Sequence, residues 1–236
     1  MVKYLAWDSE FFKKSIYIID INTDSDGTTL LGQIIEDLKD KHADGAYLIL
    51  NKDHHGWRSQ LKKRGIVCYD NKVVYGKEIK YLAQGPVQSG IQEYDGEIND
   101  DLVKLSLEAG KYSRFRMDKH FIDKFESLYT KWVENSLLRI IADTVLVYKN
   151  ENRIEGLITG KVEGKMATIG LIATNPLMQR KGIGMQLLLA AELEFIRKGA
   201  IKVEVATQLG NKQACTFYEK CGYQAKSVTP IYHIWL

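Results

Sequence analysis

Two glycines, at positions 182 and 184, precede an apolar run in the stretch "QRKGIGMQLLLAA". A helix that begins there exposes unpaired backbone amides at its N-terminus, which is the positive end of the helix dipole. Glycines let an anion approach the backbone closely, and Arg180 and Lys181 add positive charge. The loop Gln179–Gly184, which includes Ile183, therefore fits a pyrophosphate. Taken alone, a flexible glycine-rich helix start explains the same letters equally well.

The spacing in this loop excludes two common phosphate-binding motifs. A Walker loop would need a Lys-Ser/Thr pair after the second glycine, and the dinucleotide fingerprint would need a third glycine. Gly184 is followed by Met185 and Gln186 instead. The loop is thus predicted to bind a phosphate group, but it has neither the Walker motif nor the dinucleotide-binding motif.

A second stretch, "NKQACTFYEKCGY", predicts a helix that begins at Asn211. Asn211 is a good N-cap, and Gly222 can adopt the left-handed conformation that ends a helix. Ala214, Phe217 and Tyr218 share one face of this helix, and by spacing alone they form an ordinary core face.

The elements that would position these residues follow from periodicity and turn signals. Three β-rich segments, "DTVLVYKN", "RIEGLITGKVEG" and "MATIGLIATN", predict an antiparallel meander. A long helix is predicted from about Gly182 to Lys198, followed by the strand "IKVEVATQ". Two helices precede the meander, around "DLVKLSLEAG" and from about Phe121 to Leu137, and two strands, "YQAKSV" and "IYHIWL", close the chain.

The first part of the chain is predicted to be a separate, smaller α/β domain. It contains strands, two helices and the strands "IVCYDN" and "VVYGKEI", and a linker is predicted at 81–90 because "YLAQGPVQSG" lacks periodicity. Its end echoes the end of the chain: each reads as short helix, Lys-x-Gly, strand, turn, strand, with Gly65 matching Gly222. We expect Trp7, Phe11 and Phe12 in its core.

Composition limits the classes of function. The 236 residues are 45% apolar and 27% charged, enough to bury a sizeable core. A net charge of +3 does not favour nucleic acid as a partner. No segment approaches the roughly 18 apolar residues of a membrane span, and three cysteines without metal-ligand spacing indicate buried thiols in a reducing compartment. We expect a cytoplasmic, soluble protein with no metal and no membrane contact.

The pattern Gln-x-x-Gly-x-Gly, opening a helix directly after a β-meander, resembles the pyrophosphate-binding motif of the Gcn5-related N-acetyltransferases (GNAT). The order of elements over 90–236 matches that family, as do "IATNP" and the helix from Asn211. The resemblance implies a GNAT fold, α/β with a mixed, mostly antiparallel central sheet flanked by helices. It implies domains at 1–85, a truncated GNAT-like half without a cofactor site, and at 90–236, the catalytic acetyltransferase.

The resemblance also implies residue roles. Acetyl-CoA would be the co-substrate, and its pyrophosphate would lie on Gln179–Gly184. Its pantetheine arm would pair with the splayed strand end at Leu171, Ile172, Ala173 and Thr174, Asn211 would touch it, and Tyr218 would face its sulfur. Acyl transfer needs a donor for the departing thiolate, and a phenol can supply that proton, so Tyr218 is the candidate general acid. The first half has Leu61 where the echo would place Tyr218, and it should bind no second cofactor.

The general base is harder to assign, because the strand Met166–Thr174 contains no carboxylate. A water chain or a distant group would have to accept the ammonium proton. Glu155, Glu204 and His120 are candidates, although each is more simply explained as a surface or structural residue.

Two further stretches, "LAWDSEFFKKSI" and "YSRFRMDKHF", resemble those of the acetyltransferases that act on dTDP-4-amino-4,6-dideoxy sugars, the dTDP-fucosamine acetyltransferases. Arg114 and Arg116 could present planar forks to a nucleotide diphosphate, and Asp118 and His120 could reach a sugar. Solvated arginines in an interhelical loop are the plainer explanation. The acceptor is thus expected to be a small-molecule amine, by preference such a nucleotide-activated amino sugar.

Two alternatives remain open. One is acetylation of a protein or peptide amine or of a polyamine, and the other is a catalytically silent acyl-CoA-binding sensor. The resemblance also carries an expectation of a homodimer, although no sequence feature identifies an interface.

Overall fold

The computed structural model describes residues 2–21, 27–51, 55–79 and 89–236. The helices are α1 Ala6–Phe12, α2 Gly27–Asp40, α3 His55–Lys63, α4 Asp100–Gly110, α5 Arg114–Met117, α6 Phe125–Leu137, α7 Ile183–Arg197 and α8 Lys212–Lys220. The strands are β1 Val2–Tyr4, β2 Ile16–Ile21, β3 Gly45–Leu50, β4 Val67–Glu78, β5 Ile91–Glu93, β6 Thr144–Asn150, β7 Arg153–Glu163, β8 Met166–Thr174, β9 Lys202–Gln208 and β10 Gln224–Trp235. Most of the predicted linker, at 81–88, lies outside the described residues.

The described chain forms two compact units. The first comprises Met1–Val73, Gln208–Gly210 and Ser227–Leu236, and the second comprises Val74–Thr207 and Asn211–Lys226. The boundary between the units falls inside β4 and inside β10, two strands of twelve residues each. The domain limits at 85 and 90 stay a prediction.

The first unit contains the sheet order β1-β2-β3-β10. β1 and β2 are antiparallel, β2 and β3 are parallel over their full length from Ile16–Gly45 to Ile21–Leu50, and β10 pairs antiparallel with β3. Trp57 and Leu61 of α3 are fully buried in the core cluster of this unit.

The predicted core position of Trp7 is wrong. Trp7 is 51% exposed and stacks on Phe11 at 4.9 Å between ring centroids, whereas Phe12 is buried. A seven-residue helix directs only one narrow face inward, and that face carries Ser9 and Phe12. The cysteines also differ in part from the expectation, since Cys215 is buried while Cys68 and Cys221 are half-buried free thiols.

The second unit contains the sheet order β4-β9-β8-β7-β6-β5. β5 to β8 pair antiparallel in succession, which confirms the predicted meander, and β9 pairs parallel with β8. The GNAT fold predicted from the resemblance, a mixed sheet flanked by helices, is the one observed. The predicted helix Phe121–Leu137 begins later, at Phe125, after a single 3₁₀ turn at Ile122–Lys124.

Two pairs of strands were predicted where the structure has single strands. The segments "IVCYDN" and "VVYGKEI" form β4, and "YQAKSV" and "IYHIWL" form β10. The turn at Thr229-Pro230 does not form. Pro230 precedes Ile231, the first residue paired with β3, so its missing N–H interrupts no hydrogen bond of that ladder.

The echo between the halves is present in the local structure. α3 and α8 are each nine residues long, and each is followed by a glycine in the left-handed region, Gly65 at φ 70° and Gly222 at φ 83°. Each glycine leads into a strand of twelve residues. Asn211 caps α8 as predicted, accepting a hydrogen bond from Ala214 N at 3.1 Å.

Helix α7 lies against β7 at a position where only glycine fits. A Cβ placed on Gly160 would lie 2.3 Å from Cζ of Phe195, and the Phe195 ring is itself fully buried. The close approach of helix and strand therefore depends on the missing side chain.

We expect Gly160→Ala to destabilise the protein by about 1–3 kcal/mol, because the buried ring must shift to admit the methyl group. Gly210→Ala is the matched control, since a Cβ there meets nothing within 4 Å. Urea unfolding of the full chain measures both changes. Equal stabilities of the two variants would contradict the packing argument.

Candidate active site

The centre of the candidate site is the place where β8 and β9 stop pairing. Their parallel register runs only from Met166–Lys202 to Ile169–Val205. β8 nevertheless continues for five residues to Thr174. One backbone edge of the segment Gly170–Thr174 therefore faces a gap rather than a neighbouring strand. This is the splayed strand end that the resemblance implies.

The other edge of this segment is bonded to β7. Leu171 N donates to Thr159 Oγ1 at 2.9 Å, next to a bulge in β7, and Asn175 N donates to Glu155 O at 2.8 Å. Backbone amides alternate in direction along a strand. The amides of Ile172 and Thr174 therefore point into the gap. The other two predicted residues, Leu171 and Ala173, have amides that point toward β7, and their side chains are buried.

The predicted anion loop has the geometry of a backbone cradle. Arg180 and Gly182 have positive φ, 61° and 81°, and Gly182 caps α7 without a side-chain hydrogen bond. The first amide of the helix bonded back to this cap is that of Gln186, which donates to Gly182 O at 3.1 Å. The earlier amides, including those of Ile183 and Gly184, thus have no acceptor within the helix. Arg180 and Lys181 are exposed beside them.

Gln179 joins three of the predicted elements. Its Nε2 donates to Glu108 Oε1 of α4 at 3.3 Å and to Thr174 O of β8 at 3.4 Å, while Gln213 Nε2 of α8 donates to its Oε1 at 3.0 Å. The splayed strand, the loop and the closing helix are therefore held in mutual contact by one side chain.

Phe217 adds a second contact among the same elements. A Cβ on Gly184 would lie 3.6 Å from both the Phe217 ring and Thr174 Oγ1, so the ring and the hydroxyl flank this glycine. Gly182, by contrast, has open space around it and is required by its left-handed backbone.

Tyr218 follows Phe217 and is 3% exposed. Its ring lies 5.7 Å from that of Tyr75, 5.2 Å from that of Phe217 and 5.7 Å from that of Tyr223, measured between centroids. Burial, together with the nearby Cys221 and Cys215, raises the pKa of the Tyr218 phenol well above its ordinary value. The phenol therefore stays protonated at neutral pH, as a proton donor must.

The segment between α4 and α6 holds the candidate acceptor residues. The Arg114 guanidinium lies 4.4 Å from the Phe115 ring centroid, and that of Arg116 lies 5.4 Å from the Phe125 ring. Asp118 is fully buried, and its Oδ1 contacts both the backbone N and Nδ1 of His120, at 2.9 and 2.8 Å. The carboxylate of Asp118 thus fixes the orientation of the imidazole.

This segment is joined to the loop through α4. Lys111 forms an ion pair with Glu108, which contacts Gln179, and Arg114 lies three residues beyond Lys111. A shallow groove of about 400 Å³ also opens in this unit, between Trp132 of α6 and residues of β7 and β8 that include Thr159, Thr168 and Gly170. Gly170 is the first residue beyond the paired part of β8, so the groove reaches the start of the gap.

Sequence analysis missed a buried polar cluster beside Tyr218. Glu192 of α7 is 1% exposed; it is bound by Lys77 Nζ at 2.9 and 3.0 Å and by the Tyr223 hydroxyl at 2.7 Å. Helical spacing from Leu188 and Phe195 places Glu192 on the buried face of α7, which is a signal the sequence does carry. Its partner could not be inferred, because Lys77 lies 115 residues away.

Comparison with known proteins agrees with this geometry. Residues 111–223, just under half of the chain, match the acetyltransferase (GNAT) family. The spore coat polysaccharide biosynthesis protein SpsD of Bacillus subtilis is 25% identical over 162 residues, which cover 68% of this chain. The matched stretch spans about half, 53%, of that relative.

Two solved structures share the fold. A GCN5-related N-acetyltransferase from Sphaerobacter thermophilus is 14% identical with a TM-score of 0.65, and the match covers 99% of this chain and 76% of that one. The PaiA N-acetyltransferase from Thermoplasma acidophilum, solved with coenzyme A, is 21% identical with a TM-score of 0.50 over 62% of this chain and 99% of its own. The chain therefore has the GNAT fold, and its residues 111–223 are similar to the acetyltransferases of that family.

Two further findings concern other ligands and surroundings. In the described ranges, no group of three or more His, Cys, Asp or Glu side chains could hold a metal ion. Within the same part of the chain, no helix has the length and apolarity needed to cross a membrane.

The buried phenols predict how stability responds to alkali. Burial raises the pKa of both Tyr218 and Tyr223, and Glu192 adds to the effect at Tyr223. In the unfolded chain both phenols ionise near pH 10. Their contribution is complete below that pH and is lost as pH rises, by about 1.4 kcal/mol per pH unit for each group. Chemical unfolding between about pH 8 and pH 11 measures the slope.

The pKa of the buried Tyr75 is also raised, by burial and by its hydrogen bond to Glu219, so this phenol adds to the same slope. The variant Tyr218→Phe should remove the contribution of Tyr218 and reduce the alkaline slope accordingly. Tyr4→Phe is the control, because Tyr4 is half exposed. A slope that Tyr218→Phe leaves unchanged would contradict the proposed burial of the phenol.

Proposed function

We propose that the protein transfers the acetyl group of acetyl-CoA directly to the 4-amino group of a dTDP-4-amino-4,6-dideoxy sugar. The observation that carries the transfer step is the gap beside Gly170–Thr174, joined through Gln179 to a basic cradle at a helix N-terminus. The two features match the two parts of the co-substrate, an amide-lined slot for an extended arm and an anion site for its pyrophosphate.

The proposed binding follows the backbone. The amides of Ile172 and Thr174 pair with the pantetheine arm, and the pyrophosphate lies on the amides of Ile183 and Gly184. Arg180 and Lys181 add positive charge at the entrance. The Asn211 side chain, whose oxygen caps α8, contributes its amide group to the same ligand.

In the proposed reaction the uncharged acceptor amine attacks the thioester carbonyl, the C–S bond breaks, and the sulfur leaves with the electron pair. Tyr218 donates its phenolic proton to that sulfur, and the proton returns from solvent after product release. The amine loses one proton in forming the amide. Of the three predicted bases we favour His120, an imidazole whose Nδ1 contacts Asp118 Oδ1, over Glu155, whose carboxylate accepts a hydrogen bond from Asn175 Nδ2.

The acceptor is proposed from weaker support. The guanidinium carbons of Arg114 and Arg116 lie 4.4 and 5.4 Å from the ring centroids of Phe115 and Phe125. A planar guanidinium is the side chain best suited to bidentate recognition of a diphosphate. The relative SpsD is named for polysaccharide biosynthesis, a process that consumes activated sugars. Peptide amines and polyamines lack the diphosphate that these forks would recognise.

We expect Tyr218→Phe to lower kcat by about 100-fold or more, with the acetyl-CoA dissociation constant nearly unchanged, because a general acid acts only in the transition state. Steady-state kinetics and calorimetric titration with acetyl-CoA measure the two quantities. Tyr94→Phe is the control for losing a buried hydroxyl, since Tyr94 is 9% exposed and donates to Glu97 O at 2.7 Å.

An unchanged kcat in Tyr218→Phe would remove the tyrosine from the mechanism. Binding of acetyl-CoA by the wild type without turnover of any amine would favour the silent sensor instead.

The sugar proposal predicts a diphosphate-dependent effect of the arginines. Arg114→Lys or Arg116→Lys should raise KM for a dTDP-amino sugar by about 10-fold, because a point charge replaces a bidentate fork. KM for acetyl-CoA should stay constant. The free amino sugar without its nucleotide is the matched acceptor, with which wild type and variants should not differ.

A panel of acceptors completes the test. Turnover of peptides or polyamines without turnover of any dTDP-amino sugar would overturn the proposed acceptor while leaving the acetyl transfer intact. An equal effect of the arginine variants on both sugar substrates would likewise exclude diphosphate recognition.

A further inference from the structure

Strand β4, which lies in the first 85 residues, brings Tyr75 into contact with the tyrosine-bearing helix. Tyr75 is 2% exposed, and its ring lies 5.7 Å from that of Tyr218 with 35° between the planes. Its hydroxyl donates to Glu219 Oε1 at 2.8 Å. One side chain of β4 therefore contacts Tyr218 and is hydrogen-bonded to the next residue of α8.

A second set of contacts links β4 to Tyr218 through Glu192 and Tyr223. Lys77, two residues after Tyr75 and so on the same face of β4, binds the buried Glu192 at 2.9 Å. Glu192 also accepts the hydroxyl hydrogen of Tyr223 at 2.7 Å, and Tyr223 N donates to Tyr218 O at 3.0 Å. The Tyr218 backbone is thus tied to the Lys77–Glu192 pair through Tyr223.

The chemistry of the two sets of contacts suits different tasks. A buried ion pair is costly to break, because loss of one partner leaves an uncompensated charge, so Lys77 and Glu192 fix the position of the strand against α7. A single hydrogen bond to the partly exposed end of Glu219 contributes little to stability. It does restrict the last turn of α8, where a proton donor must be held within about half an ångström of its working position.

We propose that Tyr75 is a positioning residue for Tyr218, acting through its hydrogen bond to Glu219. The inference rests on the proposed role of Tyr218 as general acid. The positioning strand segment precedes the predicted linker at 81–90 but belongs to the same compact unit as Tyr218.

The test is a double-mutant cycle between positions 75 and 218. Tyr75→Phe keeps the ring and removes the hydroxyl. We expect it to lower kcat about 3- to 10-fold, the effect of one lost hydrogen bond, with KM for acetyl-CoA unchanged. In the Tyr218→Phe background the same substitution should have no further effect on kcat, because the group it positions is already absent.

The partner provides a conservative rescue. Glu219→Ala should reproduce the loss seen in Tyr75→Phe, and the two together should lose no more than either alone. Glu219→Gln retains an oxygen that can accept the Tyr75 hydrogen, so it should recover most of the kcat lost in Glu219→Ala. Thermal unfolding of each variant separates these effects from loss of fold.

The outcomes distinguish the inference from the function on which it rests. Unchanged turnover in Tyr218→Phe overturns the general acid and the positioning role together. A large loss in Tyr218→Phe with no loss in Tyr75→Phe, or with equal losses from Tyr75→Phe in both backgrounds, overturns the positioning role alone.

Discussion

The candidate site in the second unit depends on backbone groups at the end of β8 that have no paired strand on one side. Every buried backbone amide and carbonyl needs a partner, and a strand inside a sheet usually finds them on both sides. β8 does so only as far as Ile169. Beyond that residue Thr159 and β7 satisfy one edge, and the other edge has no paired strand among the described residues. The proposed binding of an extended ligand depends on this open edge.

The separated end of β8 is held in place by side chains around the candidate site. Gln179 binds the Thr174 carbonyl at the open end of β8 and links it to α4 and α8. Phe217 of α8 lies against Gly184 near the start of α7. After a 3₁₀ turn at Pro176–Met178, the left-handed Gly182 precedes the start of α7. The end of β8, the loop before α7 and the start of α8 are consequently linked through Gln179.

Features that depend on short-range chemistry were predictable from the sequence. The Asn211 cap, the left-handed Gly222, the meander and the start of α7 all follow from residue types within a few positions of one another. Contacts distant in sequence were not predictable. Tyr75 and Glu219 are 144 residues apart, and no residue pattern around either one indicates that the two side chains are in contact. The exposed Trp7 shows a further limit, because composition marks an aromatic residue as core but does not tell which face of a short helix is covered.

The two halves of the chain show why a shared framework need not give a shared site. In the first unit β2 and β3, parallel strands joined through α2, pair over all six residues from Ile16–Gly45 to Ile21–Leu50. β8 and β9, joined through α7, pair over only four. The first pair therefore has no open edge for an extended ligand, and Leu61, buried in its core, stands where the second half has Tyr218. The continuous pairing of β2 with β3 is a physical reason to expect no cofactor arm at that strand pair.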